Sequence, residues 1–306
     1  MARQGHRVWA ARLVTLAILL AVASISVYLV WRSVSLAPAE TLVKAPEVLT
    51  APAESEAAAV PHELDPLLDF ARKALQNHLE KHQDYTAVLV KREKVGGKLT
   101  PECKMALKLK YGMATDETGQ SRPVSAYLKS LEPKSQAGRE VIWVQGRNDN
   151  KLTAHEAGLL GMVSVDLMPE SRLAMIGNRY PITEIGIEKL LRKLIERGER
   201  DRQMGPATVR TIENAEIDGR KCRLMEIVHE SPTAIVDGKT VEFEFNLAQI
   251  YIDEEQLIPL KYASFGWPKK PNGPAELLEE YSYLDLKFNV GLTEKDFDSK
   301  NPAYRF

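Results

Sequence analysis

The hydrophobic pattern of the chain begins with a long apolar run near the N-terminus. Residues 13–31 carry no charge and no proline, and Arg12 and Arg32 flank the run. A helix rises about 1.5 Å per residue, so the run spans about 28 Å, close to the roughly 30 Å hydrocarbon core of a bilayer. The pattern therefore predicts a transmembrane signal-anchor helix over residues 13–31.

A cleaved secretory signal peptide is the alternative for this segment. Basic residues precede the run, and the small-residue triplet Ala37-Pro38-Ala39 follows it, as in such signals. The length of the run and the proline inside the triplet favour an uncleaved anchor. Because the arginines are concentrated before the run, the positive-inside rule predicts a cytoplasmic N-terminus, residues 1–12. We therefore expect a single-pass protein of the bacterial inner membrane with a periplasmic or otherwise extracytoplasmic C-terminal domain.

The pattern changes again after the apolar run. Residues 32–63 are rich in alanine, proline and glutamate and contain no aromatic residue, which is typical of a semi-extended linker. Residues 64–306 are enough for one large core, and no second linker divides them. They predict a single exported domain.

Two helices are predicted in this domain. Asp65 is expected to cap the first helix, with Pro66 in its first turn and apolar residues following at helical spacing as far as Leu79. The second helix is expected to begin near Thr183 as its cap, to present leucine and isoleucine on one side over residues 183–197, and to end at Gly198.

Alternation of apolar and polar residues predicts the strands. The clearest covers residues 103–111, where one face is apolar and the other carries Lys104, Lys108 and Lys110. Gly96-Gly97 and Asp218-Gly219 supply tight turns. The other predicted strands are 85–94, 125–131, 140–145, 151–155, 209–216, 221–229, 241–253, 259–265 and 278–289.

These elements indicate an α+β fold. Nine or ten antiparallel strands form a sheet too wide to stay flat, so we expect a strongly curved sheet, an incomplete β-barrel, covered by two or three helices. Its concave face would have room for a lipid-sized ligand.

Composition narrows the classes of function. With 41 Lys and Arg against 42 Asp and Glu, the net charge is -1, so nucleic acid is not the expected partner. The motifs Gly-x-Ser-x-Gly and His-Glu-x-x-His and the Gly-rich phosphate loops do not occur. We therefore predict a protein that is not an enzyme and has no cofactor or metal.

Three histidines are candidate chemical groups. His78 and His82 lie four residues apart and could share a metal on one helical face, but no third ligand is nearby, so solvated surface positions are expected. His155 ends a strand and precedes Glu156, which suits a base with an orienting carboxylate or a structural histidine bonded to a loop.

Arg179 and the two cysteines are further candidates. Asn178 tolerates left-handed backbone and Tyr180-Pro181 forces a turn, so a rigid loop presents Arg179. Its guanidinium would either bind a carboxylate or lipid phosphate, or form an internal salt bridge. Cys103 and Cys222 both fall on strands facing the core, where they would form a disulfide if close enough, or remain buried thiols.

Several sequence blocks of the exported domain form a recognisable set. They are Tyr127-Leu128-Lys129, Gly138-Arg139-Glu140, Lys151-Leu152-Thr153-Ala154-His155, Gly177-Asn178-Arg179-Tyr180-Pro181-Ile182-Thr183, Ile185-Gly186-Ile187, Asp296-Phe297 and Asn301-Pro302-x-Tyr304-x-Phe306. They resemble those of an uncharacterised family of bacterial exported proteins, domain of unknown function 1571. More broadly, the order of elements resembles the LolA/LolB-like lipoprotein-carrier superfamily, whose fold is an incomplete β-barrel capped by helices, and this resemblance implies a lipid or lipoprotein ligand. We predict Arg139, His155, Asn178, Arg179 and Tyr180 as ligand-binding residues.

Three hypotheses for the function remain open. The first is binding of an acyl chain, lipid or lipoprotein in the concave face, gated by the second helix, with Arg179 at the polar end. The second is an envelope protein-interaction or sensing module with a filled interior, and the third is a hydrolase centred on His155. An empty apolar pocket would favour the first and a packed interior with an exposed apolar edge the second. A nucleophile within reach of His155 would favour the third.

Overall fold

The computed structural model describes residues 61–113, 121–156, 163–270 and 273–306, and Ala59–Phe306 form one compact unit. The predicted anchor at 13–31 and nearly all of the predicted linker lie outside the described residues. Within the described residues, neither helix is long and apolar enough to cross a bilayer.

Fourteen strands and two α-helices make up the described part of the chain. Helix α1 is Asp65–Lys81 and helix α2 is Ile187–Met204. The strands are β1 Asp84–Val95, β2 Lys98–Leu99, β3 Cys103–Tyr111, β4 Val124–Glu132, β5 Glu140–Val144, β6 Leu152–His155, β7 Ser164–Leu167, β8 Thr208–Ile217, β9 Arg220–Val228, β10 Thr233–Val236, β11 Lys239–Glu242, β12 Leu247–Asp253, β13 Ile258–Gly266 and β14 Glu276–Phe288.

Twelve of these strands form one antiparallel sheet in the order β7-β6-β5-β4-β3-β1-β14-β13-β12-β9-β8, with β2 paired to β1. Strands β10 and β11 form a separate hairpin. The two edges, β7 and β8, do not pair with each other, so the described sheet is open. The predicted α+β class with a curved antiparallel sheet is confirmed.

The sheet curls because its ladders are interrupted. Register shifts occur in five strand pairs, including β1 with β14 and β12 with β13, and such bulges bend a strand and increase its twist. As a result, Trp143 of β5 and Cys222 of β9 belong to one buried core, although six strands separate them in the sheet order. That core lies on the concave face, together with Ala74 of α1 and Ile187 of α2.

Two tyrosines of the sheet hold the start of α2. The Tyr85 hydroxyl accepts the Ile187 N–H at 3.2 Å, and the Tyr111 hydroxyl accepts the Glu188 N–H at 3.3 Å. Gly186 precedes the helix with φ 112° and ψ 159°, a conformation available essentially only to glycine. A Cβ there would lie 2.9 Å from Leu109, so the helix start sits directly on the sheet.

The convex face of the sheet is covered over β3, β4 and β5 by residues 292–306, which we call the C-terminal segment. Phe297 is buried with Tyr127 and Ile142, and Tyr304 stacks on Tyr127 with ring centroids 4.1 Å apart. The lysine row of β3 faces this segment, where Lys108 pairs with Asp296 at 2.8 Å and Lys110 with Glu294 at 3.4 Å. These two lysines therefore hold the chain's own C-terminal segment, whereas Lys104 pairs with Glu132.

Several predicted boundaries were wrong. Leu64, not Asp65, is the N-cap of α1, and Asp65 instead accepts the His62 N–H and pairs with Arg202. Residues Ile182–Glu184 form a separate 3-10 turn, so Thr183 does not cap α2. The predicted strand 241–253 is divided between β11 and β12, and the patterns missed β7 and β10.

Gly198 was wrongly predicted to end the second helix. It lies inside α2, and a Cβ at this position would be 2.8 Å from the Leu68 side chain of α1. The glycine is needed for the close approach of the two helices. The helix ends at Met204, before Gly205.

His78 and His82 were predicted to be solvated, and the structure contradicts this. Both are buried between α1 and the sheet. The Tyr111 hydroxyl, which accepts from Glu188, lies 3.2 Å from His78 Nε2, and the Nδ1 atoms of the two histidines are 3.0 Å apart. In the contact between the two Nδ1 atoms one ring donates and the other accepts, so at least one of the two imidazoles is neutral. Phe288 stacks on the His82 ring, and Gln256 hydrogen-bonds to its side chain. Arg122 donates to the His82 carbonyl at 2.8 Å, and its guanidinium lies over the Tyr111 ring.

This pair predicts a pH-dependent stability. Burial, the second histidine and Arg122 hold the pKa of His78 well below 6.5, and burial lowers that of His82. Below pH 6.5 the unfolded chain therefore binds protons that the folded chain does not, so stability is full above that pH and is lost as the pH falls. We expect wild type to lose about 1–2 kcal/mol between about pH 7.5 and about pH 5.5.

Urea unfolding at both pH values is the measurement. The double variant His78→Gln, His82→Gln should be less stable at neutral pH and should lose distinctly less stability on acidification than wild type. Equal pH dependence of the two proteins would contradict neutral buried histidines.

Candidate functional site

The concave face holds an apolar seam between α1, α2 and the sheet. The two helices and strands β9, β12 and β13 line it. The apolar residues include Leu67, Leu68, Ala71, Leu191, Leu194, Ile227, Phe245, Ile250 and Ile252. Arg197, Asp201 and Tyr262 are the polar side chains in its lining. The seam thus has the chemistry expected for an acyl chain, with polar groups contributed by α2 and β13.

The seam is closed. Its cavity volume is about 30 Å³, room for roughly one or two water molecules and far below the 300–1,000 Å³ of typical ligand pockets. The lining residues Leu64, Leu68 and Ala248 are almost fully buried. In the described part of the chain, the concave face therefore lacks the open lipid-sized cavity that the curved sheet had led us to expect, because the side chains of the two helices fill it.

One end of the seam borders a buried group of charged and phenolic side chains, which we call the Glu279 cluster. Its members are Lys91, Glu93, Asn178, Arg179, Tyr180, Arg197, Tyr262, Glu279 and Tyr281. Arg197 donates to Glu279 at 3.2 Å, to the Tyr262 hydroxyl at 3.1 Å and to the Tyr180 hydroxyl at 2.8 Å. Glu279, only 2% exposed, thereby connects α2 to the sheet.

The same cluster fastens the loop that carries the predicted residues 178–180. Arg179 Nε lies 3.3 Å from Glu279 Oε2 and 3.1 Å from the Tyr180 hydroxyl. The Asn178 side chain accepts from Lys91 Nζ at 2.7 Å, and the Arg179 N–H donates to Glu93 at 3.2 Å. Of the two roles open to Arg179, the structure contains the internal salt bridge. Its role as a ligand site stays a prediction.

The cluster is strongly coupled electrostatically. Burial, together with the nearby carboxylates of Glu93 and Glu279, raises the pKa of Tyr281, whose hydroxyl donates to Glu93. Burial alone would lower the pKa of Arg197, but the surrounding Tyr262, Tyr180 and Glu279 raise it overall. The pKa values of Tyr180 and Tyr262 are raised as well, mainly by burial. The three tyrosines therefore stay neutral and Arg197 stays charged: Tyr281 donates to Glu93, whereas Tyr180 and Tyr262 accept from Arg197.

His155 and Arg139 do not converge with residues 178–180. Arg139 pairs with Glu156 at 2.8 Å, which takes away the carboxylate that was expected to orient His155. His155 lies on the convex face with its ring 5.9 Å from that of Phe306. The five predicted ligand residues therefore do not form one site.

Ser164 and Glu140 are the cross-strand neighbours of His155. Serine, histidine and carboxylate thus lie side by side on one face, which sequence reasoning missed. Glu140 is occupied elsewhere, since it accepts from the Tyr127 hydroxyl at 3.1 Å and from the Arg305 N–H at 2.8 Å. The carboxylate of this row is therefore engaged by Tyr127 and Arg305, and a hydrolase centred on His155 stays a prediction.

Cys103 and Cys222 are both free thiols, so of the two alternatives for this pair the structure contains the unpaired thiols. They lie on β3 and β9, with β1, β14, β13 and β12 between them in the sheet. Burial raises the pKa of both thiols. In the described parts of the chain, no three His, Cys, Asp or Glu side chains are grouped as metal ligands.

Residues 82–306 match the family described as "Protein of unknown function (DUF1571)". The chain belongs to this family. The match covers almost all of the folded domain and confirms the predicted membership. No curated protein matches the sequence significantly.

Solved structures show weaker similarity. A DUF1329 family protein from Desulfovibrio piger is 13% identical with a TM-score of 0.37, over 78% of this chain and 98% of that one. The Pseudomonas aeruginosa MucA/MucB complex gives 14% identity and a TM-score of 0.40, over 76% of this chain and 60% of that one. A LolA superfamily protein from Nitrosomonas europaea is 12% identical with a TM-score of 0.29, over 74% of this chain and 97% of that one.

Arg197 and Glu279 were not predicted as site residues. Arg197 had been assigned to the polar side of α2. It follows Leu194 by three residues, as Leu194 follows Leu190 by four, so all three lie on the helix face that packs inward. This spacing was a signal that Arg197 is partly buried. Glu279, Tyr281 and Tyr283 are two residues apart along β14, so their side chains share one face of the strand. A carboxylate in phase with buried tyrosines was the available sign of a polar cluster inside the sheet.

Removal of the Glu279 charge should destabilise the domain. Glu279→Gln leaves two guanidiniums next to a neutral amide, so we expect the free energy of unfolding to fall by about 2–4 kcal/mol. Arg179→Ala should cost less, about 1 kcal/mol, because that side chain is partly exposed. The control is Glu216→Gln, an exposed carboxylate of β8, which should change stability by less than about 0.5 kcal/mol. If urea unfolding shows that Glu279→Gln loses no more stability than Glu216→Gln, the cluster does not have the structural role assigned to it.

Proposed function

We propose that this chain is an extracytoplasmic interaction module that binds an extended apolar segment of an envelope protein along edge strand β7. The observation that carries the proposal is an exposed apolar patch at this edge, next to an interior that is already filled. A filled interior with an apolar edge is the combination expected of a protein-binding domain. The extracytoplasmic location rests on the predicted anchor at 13–31.

We call this surface the edge patch. It consists of Val163, Val165, Met168, Leu173 and Ile176, which are between 44% and 69% exposed. Val163 directly precedes β7, Val165 lies on the strand, and the loop that follows it contributes the other three. Exposed apolar groups concentrated in one short stretch are a sign of an interaction surface, whereas isolated ones are ordinary.

The opposite edge of the sheet supports this choice by contrast. Strand β8 is interrupted by a bulge between Ile212 and Ala215 and carries charged side chains at Arg210, Glu213 and Glu216. Bulges and charges are the usual protection of an edge strand against added strands. The described pairing of β7 with β6 contains no comparable bulge, and the exposed side chains at this edge are apolar.

The physical mode is strand addition. Strand β7 pairs on one side with β6, and in the described chain no strand pairs with its other side. A partner segment in extended conformation would form main-chain hydrogen bonds there, and its apolar side chains would cover the edge patch. The partner chemistry is thus an extended peptide with alternating apolar residues.

Site-specific photo-crosslinking tests this proposal. Benzoylphenylalanine replaces Val165 in one full-length protein and Ile212 of β8 in a matched one, each expressed in the source bacterium. We expect a discrete crosslinked species at Val165 and none at Ile212, because only the β7 edge is apolar and unprotected. A second change, Leu173→Asp, should remove the Val165 species by placing a charge in the patch.

Equal crosslinking at both edges, or none at Val165, would contradict binding at β7. Persistence of the Val165 species in Leu173→Asp would show that the apolar patch is not what the partner recognises.

A second candidate function is uptake of an acyl chain or lipoprotein lipid into the seam. The observation that favours it is the almost wholly apolar lining with Arg197 at one end. Because the seam is closed, this function requires α1 and α2 to separate. Arg72 and Glu199 join the two helices on the surface, with a 3.0 Å ion pair.

Locking the helices tests the second candidate. Arg72→Cys, Glu199→Cys, joined by a short cleavable thiol crosslinker in the full chain, should not take up lipid, and cleavage should restore uptake. Native mass spectrometry after incubation with a phospholipid detects the bound lipid, and each single cysteine variant treated in the same way is the control. Lipid uptake by the locked protein, or none by any form, would contradict this candidate.

A further inference from the structure

The convex face carries a polar pocket that none of the functions above uses. The C-terminal segment covers β3, β4 and part of β5, and beyond it the outer face of β5, β6 and β7 forms the floor of a cavity of about 420 Å³. This volume lies in the range of small-molecule sites and is far larger than that of the closed seam. Residues 297–299 form one wall and the turn after β5 forms another.

The floor and the walls differ in chemistry. Ile142, Val144 and Phe297 provide an apolar floor, whereas the remaining lining residues are polar. The strands, the turn between β5 and β6 and the C-terminal segment contribute three hydroxyls, two carboxylates, two cations and an amide, from Thr153, Ser164, Ser299, Asp166, Asp298, Arg147, Lys151 and Asn148. A ligand here would meet an apolar surface on one side and both donors and acceptors around its edge.

The two cations of the rim are already paired within the protein. Arg147 pairs with Glu294 at 2.8 Å, and Lys151 lies 3.5 Å from Asp149. The two carboxylates have neutral donors: Asp166 accepts from the Thr153 hydroxyl at 2.7 Å, and Asp298 accepts from the Lys300 backbone N–H at 2.9 Å. The rim therefore offers no unpaired cation to hold an anion, whereas its carboxylates can accept further hydrogen bonds from ligand hydroxyls.

An unusual turn holds one wall in place. Asn148, Asp149 and Asn150 all adopt left-handed backbone, with φ of 53°, 52° and 60°. Successive left-handed residues are unfavourable for side chains, and such conformations persist only where neighbours hold them. Here Asn150 accepts the Gly146 N–H at 3.2 Å through its side chain and the Trp143 indole N–H at 3.2 Å through its carbonyl. The wall is therefore rigid before any ligand arrives, which lowers the entropy lost on binding.

We propose that this pocket binds an uncharged sugar unit. Sugar hydroxyls donate and accept hydrogen bonds, which matches a rim with both kinds of group, and the C–H face of a sugar ring suits the apolar floor. The site is independent of the edge patch, which lies on the loop and edge of β7. Either a free sugar or one residue of an envelope glycan has this chemistry.

Saturation-transfer difference NMR on the full-length protein tests the proposal. The two probes are N-acetylglucosamine, which represents a free sugar, and chitotetraose, which represents a glycan segment. We expect a saturable signal from at least one of them. Tighter binding of the tetramer indicates a glycan, and equal binding indicates a free sugar.

Two variants locate the binding. Ser299→Trp fills the pocket from an exposed position and should abolish the signal without affecting the fold, which thermal unfolding checks. Asp166→Ala should weaken binding roughly tenfold by removing one hydrogen-bonded carboxylate, whereas Glu216→Ala on β8 should bind as wild type does. No saturable signal from either sugar, or full binding by Ser299→Trp, would overturn the proposal.

Discussion

The concave face of the curved sheet must be covered, and most of the architecture follows from how it is covered. The bulged strands bring β5 and β9 to a common core, and two helices of 17 and 18 residues close over it. Their fit depends on close approach, with Gly198 against Leu68 and Gly186 against Leu109. Helices that pack this closely on the sheet leave little space beneath them. The concave face therefore forms part of the hydrophobic core and does not form an open pocket.

The Glu279 cluster completes that cover where apolar packing ends. Buried charges are costly unless each has an ionic partner. Here two arginines and a lysine pair with two glutamates, and three tyrosines hydrogen-bond within the same network. They connect the sheet, α2 and the loop at 178–180, so the loop cannot leave the sheet without exposing unpaired charges. An acyl ligand would have to separate the helices beside a network that resists movement, whereas a protein partner at β7 requires no such rearrangement.

The sequence predictions were correct where neighbouring residues determine the structure and wrong where contacts between distant residues determine it. The strand at 103–111 was predicted with its correct bounds because one buried face imposes an alternation that the letters display directly. His78 and His82 were assigned to solvent because helical spacing places them on one face but does not say which face the sheet covers. A glycine such as Gly198 can either end a helix or allow close contact with a second helix, and the sequence alone does not distinguish the two roles. Arg197 and Glu279 meet only after folding, across 82 positions of the chain, and no local pattern encodes that pair.

The position of β1 in the sheet has a consequence for how the domain forms. This strand pairs with β3 on one side and with β14 on the other, so the middle of the sheet joins the two ends of the domain. The β1–β14 ladder closes a loop of almost the entire folded chain, and contacts at such separation make folding slow. Until β14 is available, the apolar faces of β1 and β13 lack their shared neighbour. Because the chain is synthesised from its N-terminus, the last described strand to emerge is the one that unites the sheet, and the nascent domain must be kept from aggregating until then.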